Sequence, residues 1–184
     1  AAAKLELAEP FFGAASDESL VADGREPYVK DDEIRVLQFR RPGGKPIGIL
    51  VQWNCHPETL GSKNTLISSD FPNYTRDYLE KKFACPVAFF SGDIGGMMTS
   101  LGLEVRDSNG QKLPENSYEK TERLGELIGQ FAERTLSGAK PIRLSPFTIR
   151  SRKLFLPQDN LGYTALLTLG VVDRKSFRWD GTPD

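Results

Sequence analysis

One histidine, two cysteines and two methionines are all that this 184-residue sequence holds of the side chains that bind soft metals. A closed structural zinc site takes four donors, drawn mainly from cysteine and histidine. The chain can build none alone unless carboxylates dominate the ligand set. Two thiols, Cys55 and Cys85, are not a disulfide framework either. Both lie at the edges of apolar segments, where cysteine behaves as a small hydrophobe. Buried free thiols are expected, with a single Cys55–Cys85 bridge as the alternative. An excess of one charge is also lacking: 24 Lys and Arg stand against 25 Asp and Glu, a formal net charge of −1. No field therefore points to nucleic acid or to an anionic membrane surface. No apolar run approaches the ~18 residues of a membrane-spanning helix, so no transmembrane segment is expected. The sequence opens on AAAKLEL without a Met, read as the tail of a helix that exits at Glu9-Pro10, and shows no signal peptide. G-x-S-x-G, H-E-x-x-H, G-x-G-x-x-G and Walker motifs are absent, which removes the common nucleophile, zinc-protease and nucleotide signatures.

Several stretches carry clear local signals. EIRVLQFR (33–40) mixes apolar and charged residues, RPGGK (41–45) is turn chemistry, and PIGILVQWNC (46–55) is rich in large and β-branched apolar residues. Together they predict a β-hairpin whose second strand is the more buried. Asp70 is placed to cap a helix running to Ala84, with Pro72 near its start, where a missing N–H costs little. Tyr74, Tyr78 and Leu79 form its expected buried stripe. CPVAFF (85–90) is a short continuous apolar run, the signature of a strand covered on both faces, and it ends in the glycine-rich SGDIGGMM. Residues 99–116 read as a polar loop with a turn at Asn109-Gly110. A second helix is predicted over 117–136, with Leu124, Leu127, Ile128, Phe131 and Ala132 on one face and Gly138 as its stop. Residues 145–157 alternate like a strand with one wet face, and 162–170 fit either a short helix or a strand. No repeat, linker or low-complexity tract interrupts the chain. Residues 1–184 are therefore read as one domain of the α/β class, a mixed β-sheet flanked by helices.

The solitary histidine stands where such sheets place their sites, at the carboxyl end of a strand. His56 follows the strand 46–55, and Gly92-Asp93 follows the strand 85–90. If these strands are neighbours, with the helix 71–84 as crossover, both emerge on the same side. A neutral imidazole is the commonest nitrogen ligand and titrates near physiological pH. His56 is thus a candidate metal ligand or general base, with a structural histidine as the plain alternative. Glu58, two residues on, is a candidate to orient the imidazole or a surface carboxylate. Asp93 either holds its own loop by side-chain to backbone bonds or faces a pocket. Asp70 is read as a helix cap, and Met97 and Met98 as core filling rather than the lining of a groove. A carboxylate-rich metal site of His56, Glu58 and Asp93 is a further option.

DDEIRVLQF (31–39), KPIGILVQW (45–53), His56-Pro57, LISSD (66–70) and the strand from Pro86 to Asp93 follow one another in a telling order. Over roughly residues 20 to 135 this order and spacing resembles the neutral/alkaline non-lysosomal ceramidase family, in its N-terminal catalytic domain. The resemblance implies a zinc-dependent amide hydrolase, with zinc polarising the amide carbonyl and lowering the pKa of a bound water. His56 matches the family's zinc-binding histidine of the His-Pro segment. The family's other ligands are a histidine upstream and a glutamate and a tyrosine downstream. They have no counterpart here and are expected outside Ala1–Asp184, so the chain is read as an internal fragment. The implied partners are a small-molecule or lipid amide substrate and the remaining parts of the catalytic domain, in a secreted or periplasmic setting. The family turn reads Gly-Asp-Val-Ser-Pro-Asn, and its serine is catalytic. This chain reads Gly92-Asp93-Ile94-Gly95-Gly96-Met97, so Gly95 stands in the serine's place without a hydroxyl. The implied site is then Asp93 and Gly95 in the turn, His56 on zinc and Glu58 nearby. The change at Gly95 points to a divergent member with another amide or ester substrate, or to an inactive chain. The alternative is a non-catalytic α/β binding or structural module of an envelope protein.

Overall fold

The hairpin forms as its turn chemistry requires. Gly43 and Gly44 take φ of 96° and 92°, a region costly to residues with a Cβ, and Arg41 N–H closes the turn on the Lys45 carbonyl at 2.9 Å. In this computed structural model the described residues are 7–94, 97–146, 148–154, 157, 159–175, 177, 178, 180 and 182. They fall into two compact units, Ala1–Leu144 and Ser145–Asp184.

The first unit carries a mixed five-stranded sheet. Its strands are β1 (Glu9–Ser16), β3 (Glu33–Arg40), β4 (Pro46–Trp53), β5 (Val87–Ser91) and β7 (Lys140–Pro141), in the order β5-β4-β3-β1-β7. β4 and β5 are parallel and the other pairs antiparallel. A parallel pair needs a crossover, and α1 (Phe71–Phe83) lies between these two strands in sequence. β2 (Ala22–Asp23) and β6 (Met98–Thr99) form a separate two-stranded ribbon. The helix α2 (Tyr118–Ser137) packs beside α1. Gly125 permits that approach, because a Cβ there would meet the Phe71 carbonyl oxygen at 2.6 Å.

One sheet face and the two helices make the core. Ile34, Val36, Ile49, Val51 and Trp53 are sealed together with Leu79, Leu124 and Ile128. Trp53 meets Phe131 edge to face at 6.0 Å between ring centroids. Each buried aliphatic side chain contributes roughly 1.5–3 kcal/mol of hydrophobic stabilisation. The other face bears a row of cross-strand partners, Phe12, Leu37, Leu50 and Ala88, of which Phe12 and Ala88 are exposed.

The α/β class, the hairpin, both long helices and the strand after Pro86 appear as the sequence indicates. Five details differ. β4 is not more buried than β3: each seals three side chains, because both are interior strands of the sheet. β5 is covered on one face only, with Ala88 and Phe90 exposed on the face opposite the helices, as Phe12 is on β1. The buried stripe of α1 is Phe71, Thr75 and Leu79, with Tyr74 and Tyr78 half-exposed beside α2. β1 is an interior strand that the sequence hid. Gly13 blurs its pattern, yet α2 passes so close that a Cβ there would lie 2.8 Å from the Thr135 carbonyl oxygen. In the second unit the described residues of 145–157 form no strand, and Ile149 and Leu154 are 80% and 72% exposed. Alternation makes a strand only where a neighbouring edge supplies the ladder. That unit does hold α3 (Leu161–Thr168), whose N–H at Tyr163 is capped by Asn160.

Candidate functional site

The carboxyl ends of β4 and β5 build one continuous surface. The Gly92 N–H donates to the Trp53 carbonyl at 3.1 Å, and the Asp93 N–H to Asn54 Oδ1 at 2.8 Å. One step further, the His56 N–H donates to the Met98 carbonyl at 3.0 Å. The segment after β4 is therefore bonded to the segment after β5 at three successive levels. Gly92 is required by this contact, since a Cβ there would sit 2.0 Å from Asn54 Oδ1. The expected neighbourhood of the His-Pro segment and the Gly-Asp turn follows from the parallel pairing of β4 with β5.

His56 is half-buried, and its imidazole has no hydrogen bond among the described residues. Glu58 sits in the same bend, its N–H on the His56 carbonyl at 2.9 Å. Its carboxylate is engaged by the Thr99 hydroxyl at 2.5 Å and makes no bond to the imidazole. Asp93 is exposed, and its carboxylate has no partner among the described residues. Gly95 lies outside the described residues. A cleft of about 310 Å³ opens beside the turn, lined in part by Val29, Asp31, Asp93, Met97 and Met98. Met98 is buried as core filling, while Met97 is 46% exposed. A larger hollow of about 610 Å³, bounded by Glu18, Asp23, Tyr28 and Asp32, touches none of the site residues. Of His56, Glu58 and Asp93, Asp93 alone lines the smaller cleft.

The loop is held from below by Asp70, the helix cap the sequence indicates, and by buried polar groups that motif reading passed over. Asp70 caps α1 through the Phe71 N–H at 2.8 Å, and its second oxygen accepts the Leu60 N–H at 3.1 Å. It does so at φ 55° and ψ −153°, strained for a residue with a Cβ. Thr59 and Ser100 share a buried hydrogen bond of 2.8 Å. The fully buried Lys120 ammonium donates to the Ser100 carbonyl at 3.1 Å and to Glu115 at 2.6 Å. A signal for Lys120 was present, since it lies four residues before Leu124 on the apolar face. A signal for Asn54 was the polar residue inside the apolar run VQWNC.

Cys55, between Asn54 and His56, is a buried free thiol, and Cys85 is another. Burial, reinforced by the nearby Glu58 and Asp70 charges, pushes the Cys55 thiol up to about 12, so it is protonated and inert at neutral pH. Among the described residues no group of three His, Cys, Asp or Glu is arranged to hold a metal. This corrects the option of a site made by His56, Glu58 and Asp93 within the chain. Glu58 is turned to Thr99, and what remains is one imidazole able to act as one ligand of a larger set. No described helix is long and apolar enough to cross a membrane.

No family model matches the sequence, and no curated protein does. Among solved structures the fold is similar to neutral ceramidase from Pseudomonas aeruginosa, with a TM-score of 0.60 at 18% identity. That likeness covers 75% of this chain and 24% of the ceramidase chain. A ceramidase complexed with C2 is similar at a TM-score of 0.59 and 18% identity, over 75% of this chain and 23% of the other. The chain thus has the fold of about a quarter of the length of these ceramidases, as the order of its motifs suggested.

Proposed function

We propose that this chain is a divergent, ceramidase-like part of a hydrolase that cleaves an N-acyl amide bond in a lipid or small-molecule substrate, in a secreted or periplasmic setting. The observation that carries the reading is the bonding of the His56 segment to the Gly92–Asp93 turn, on a fold similar to that of ceramidases. In this reading His56 is one zinc ligand, and the rest of the catalytic domain supplies the others. Zinc, when bound there, would act as a Lewis acid on the amide carbonyl and acidify a water. The chain's own contribution is to hold the imidazole half-buried just after β4 and to carry the Asp93 carboxylate on the turn bonded to that strand's end. Glu58 acts indirectly, fixing the bend through Thr99. Gly95, in the position of the family serine, leaves the turn without a nucleophile, so the 184-residue chain alone is inactive.

Crystals grown with zinc and measured at the zinc absorption edge test this reading. An anomalous peak beside the His56 imidazole is expected, and it disappears in His56→Ala. A peak only elsewhere, or an imidazole that stays metal-free at saturating zinc, overturns it. The second reading, a non-catalytic α/β binding module, is favoured by the lack of a three-ligand group among the described residues. It gains if the longer polypeptide neither binds zinc at His56 nor turns over a fluorescent ceramide.

A further inference from the structure

One side chain is bonded to both walls of the cleft beside the turn. Asn54 is fully buried. Its Oδ1 accepts the Asp93 N–H at 2.8 Å and faces Gln52 Nε2 at 3.4 Å. Its Nδ2 donates to the Asp31 carbonyl at 3.1 Å and to the Glu33 carbonyl at 3.4 Å. Asp31 and Asp93 both line the cleft. The carboxamide therefore joins the approach to β3 to the turn after β5, from the end of β4. Its donors and acceptor are all engaged, the condition under which a buried amide specifies geometry. The lining carboxylates differ in what they do. Asp23 accepts the N–H groups of Arg25 and Val29, which folds its own loop. Asp31 pairs with Arg35 and accepts the Glu33 N–H. Asp93 and Glu26, the fourth carboxylate of the lining, have no side-chain partner among the described residues.

We infer that Asn54 is a positioning residue: it fixes the spacing of the two cleft walls and so sets where the Asp93 carboxylate meets a hydrogen-bond-donating ligand. The ligand half of this inference rests on the proposed N-acyl hydrolase reading; the positioning half rests on geometry alone.

Amide exchange in the ¹⁵N-labelled chain tests the positioning. Asp93 lies outside any strand with an exposed side chain, so its N–H should be protected only through Asn54. Slow exchange is expected in the wild type. Asn54→Ala should speed it by at least about tenfold while Leu124 and Ile128 keep their protection. Asn54→Asp keeps an oxygen toward the Asp93 N–H but turns a second acceptor on the Asp31 and Glu33 carbonyls, so it should not restore the wild-type protection. An Asp93 amide that exchanges at the free-chain rate in the wild type overturns the inference, and that result needs no variant to fold. So does exchange untouched by Asn54→Ala. Titration with a short-chain N-acyl amino alcohol, followed by shifts at Asp93 and Met97, addresses the ligand. Binding at least about tenfold weaker in Asn54→Ala is expected. Equal affinity in both proteins overturns the positioning role. No shift at all in the wild type counts against the N-acyl reading, while the exchange result still decides the role of Asn54.

Discussion

At the scale of single residues, the site is specified by contacts that leave no room for substitution. Gly92→Ala forces a Cβ onto the Asn54 carboxamide, 2.0 Å away. We expect a loss of about 1–3 kcal/mol, typical of overpacking, in denaturant unfolding of the variant. Asp70 both caps α1 and holds Leu60, but at φ 55°. Asp70→Ala loses the bonds and keeps the strain, whereas glycine adopts that φ freely. Asp70→Gly should therefore unfold at a higher denaturant midpoint than Asp70→Ala. Cys55 gives a pH signature. Its thiol is raised to about 12 when folded, so the folded protein keeps a proton that the unfolded chain releases in the ordinary thiol range. The stability it contributes is complete below that range and is lost as pH rises toward about 12. Cys55→Ala should flatten that alkaline decline; an identical slope in both proteins would contradict the assignment. His56, Asp93 and Glu58 were legible as candidates because their residue types advertise chemistry. Asn54 and Lys120 show in the sequence only as polar residues in apolar patterns; their roles lie in bonds to backbone atoms distant in sequence.

At the scale of elements, legibility followed the strength of the local pattern. The hairpin of β3 and β4 and the helix α2 have strong periodicity and explicit turn or cap residues, and they form as read. β1 was hidden because its helix-facing residue is Gly13, chosen by the passage of α2 and not by strand propensity. The alternation at 145–157 had the opposite fault, a strand pattern without a described neighbour to pair with. Within α2, Lys120 is the element's anchor to the site loop. Lys120→Ala removes the ammonium from the Ser100 carbonyl and leaves a cavity. We expect about 2–4 kcal/mol of destabilisation. Lys120→Met fills the space and should cost less, because Glu115 is 39% exposed and can turn to water. Thermal unfolding of the two variants checks the order.

At the scale of the whole molecule, the parallel pairing of β4 with β5 through α1 decides where the chemistry can lie. It brings together the His-Pro segment and the Gly-Asp turn, 35 positions apart between Pro57 and Gly92 in the sequence. This much could be anticipated from strand, helix, strand order. The ligand set could not, because the described residues provide one imidazole and no group of three metal-binding side chains. We propose that His56 is one ligand of a metal site that other polypeptide completes. Calorimetric titration of the 184-residue chain with zinc tests it most directly. We expect weak binding, with a dissociation constant above about 10 µM, because one imidazole supplies only part of the ~10–16 kcal/mol of a complete zinc site. That weak binding should vanish in His56→Ala. Tight stoichiometric binding by the chain alone, or binding that survives His56→Ala unchanged, would contradict the claim.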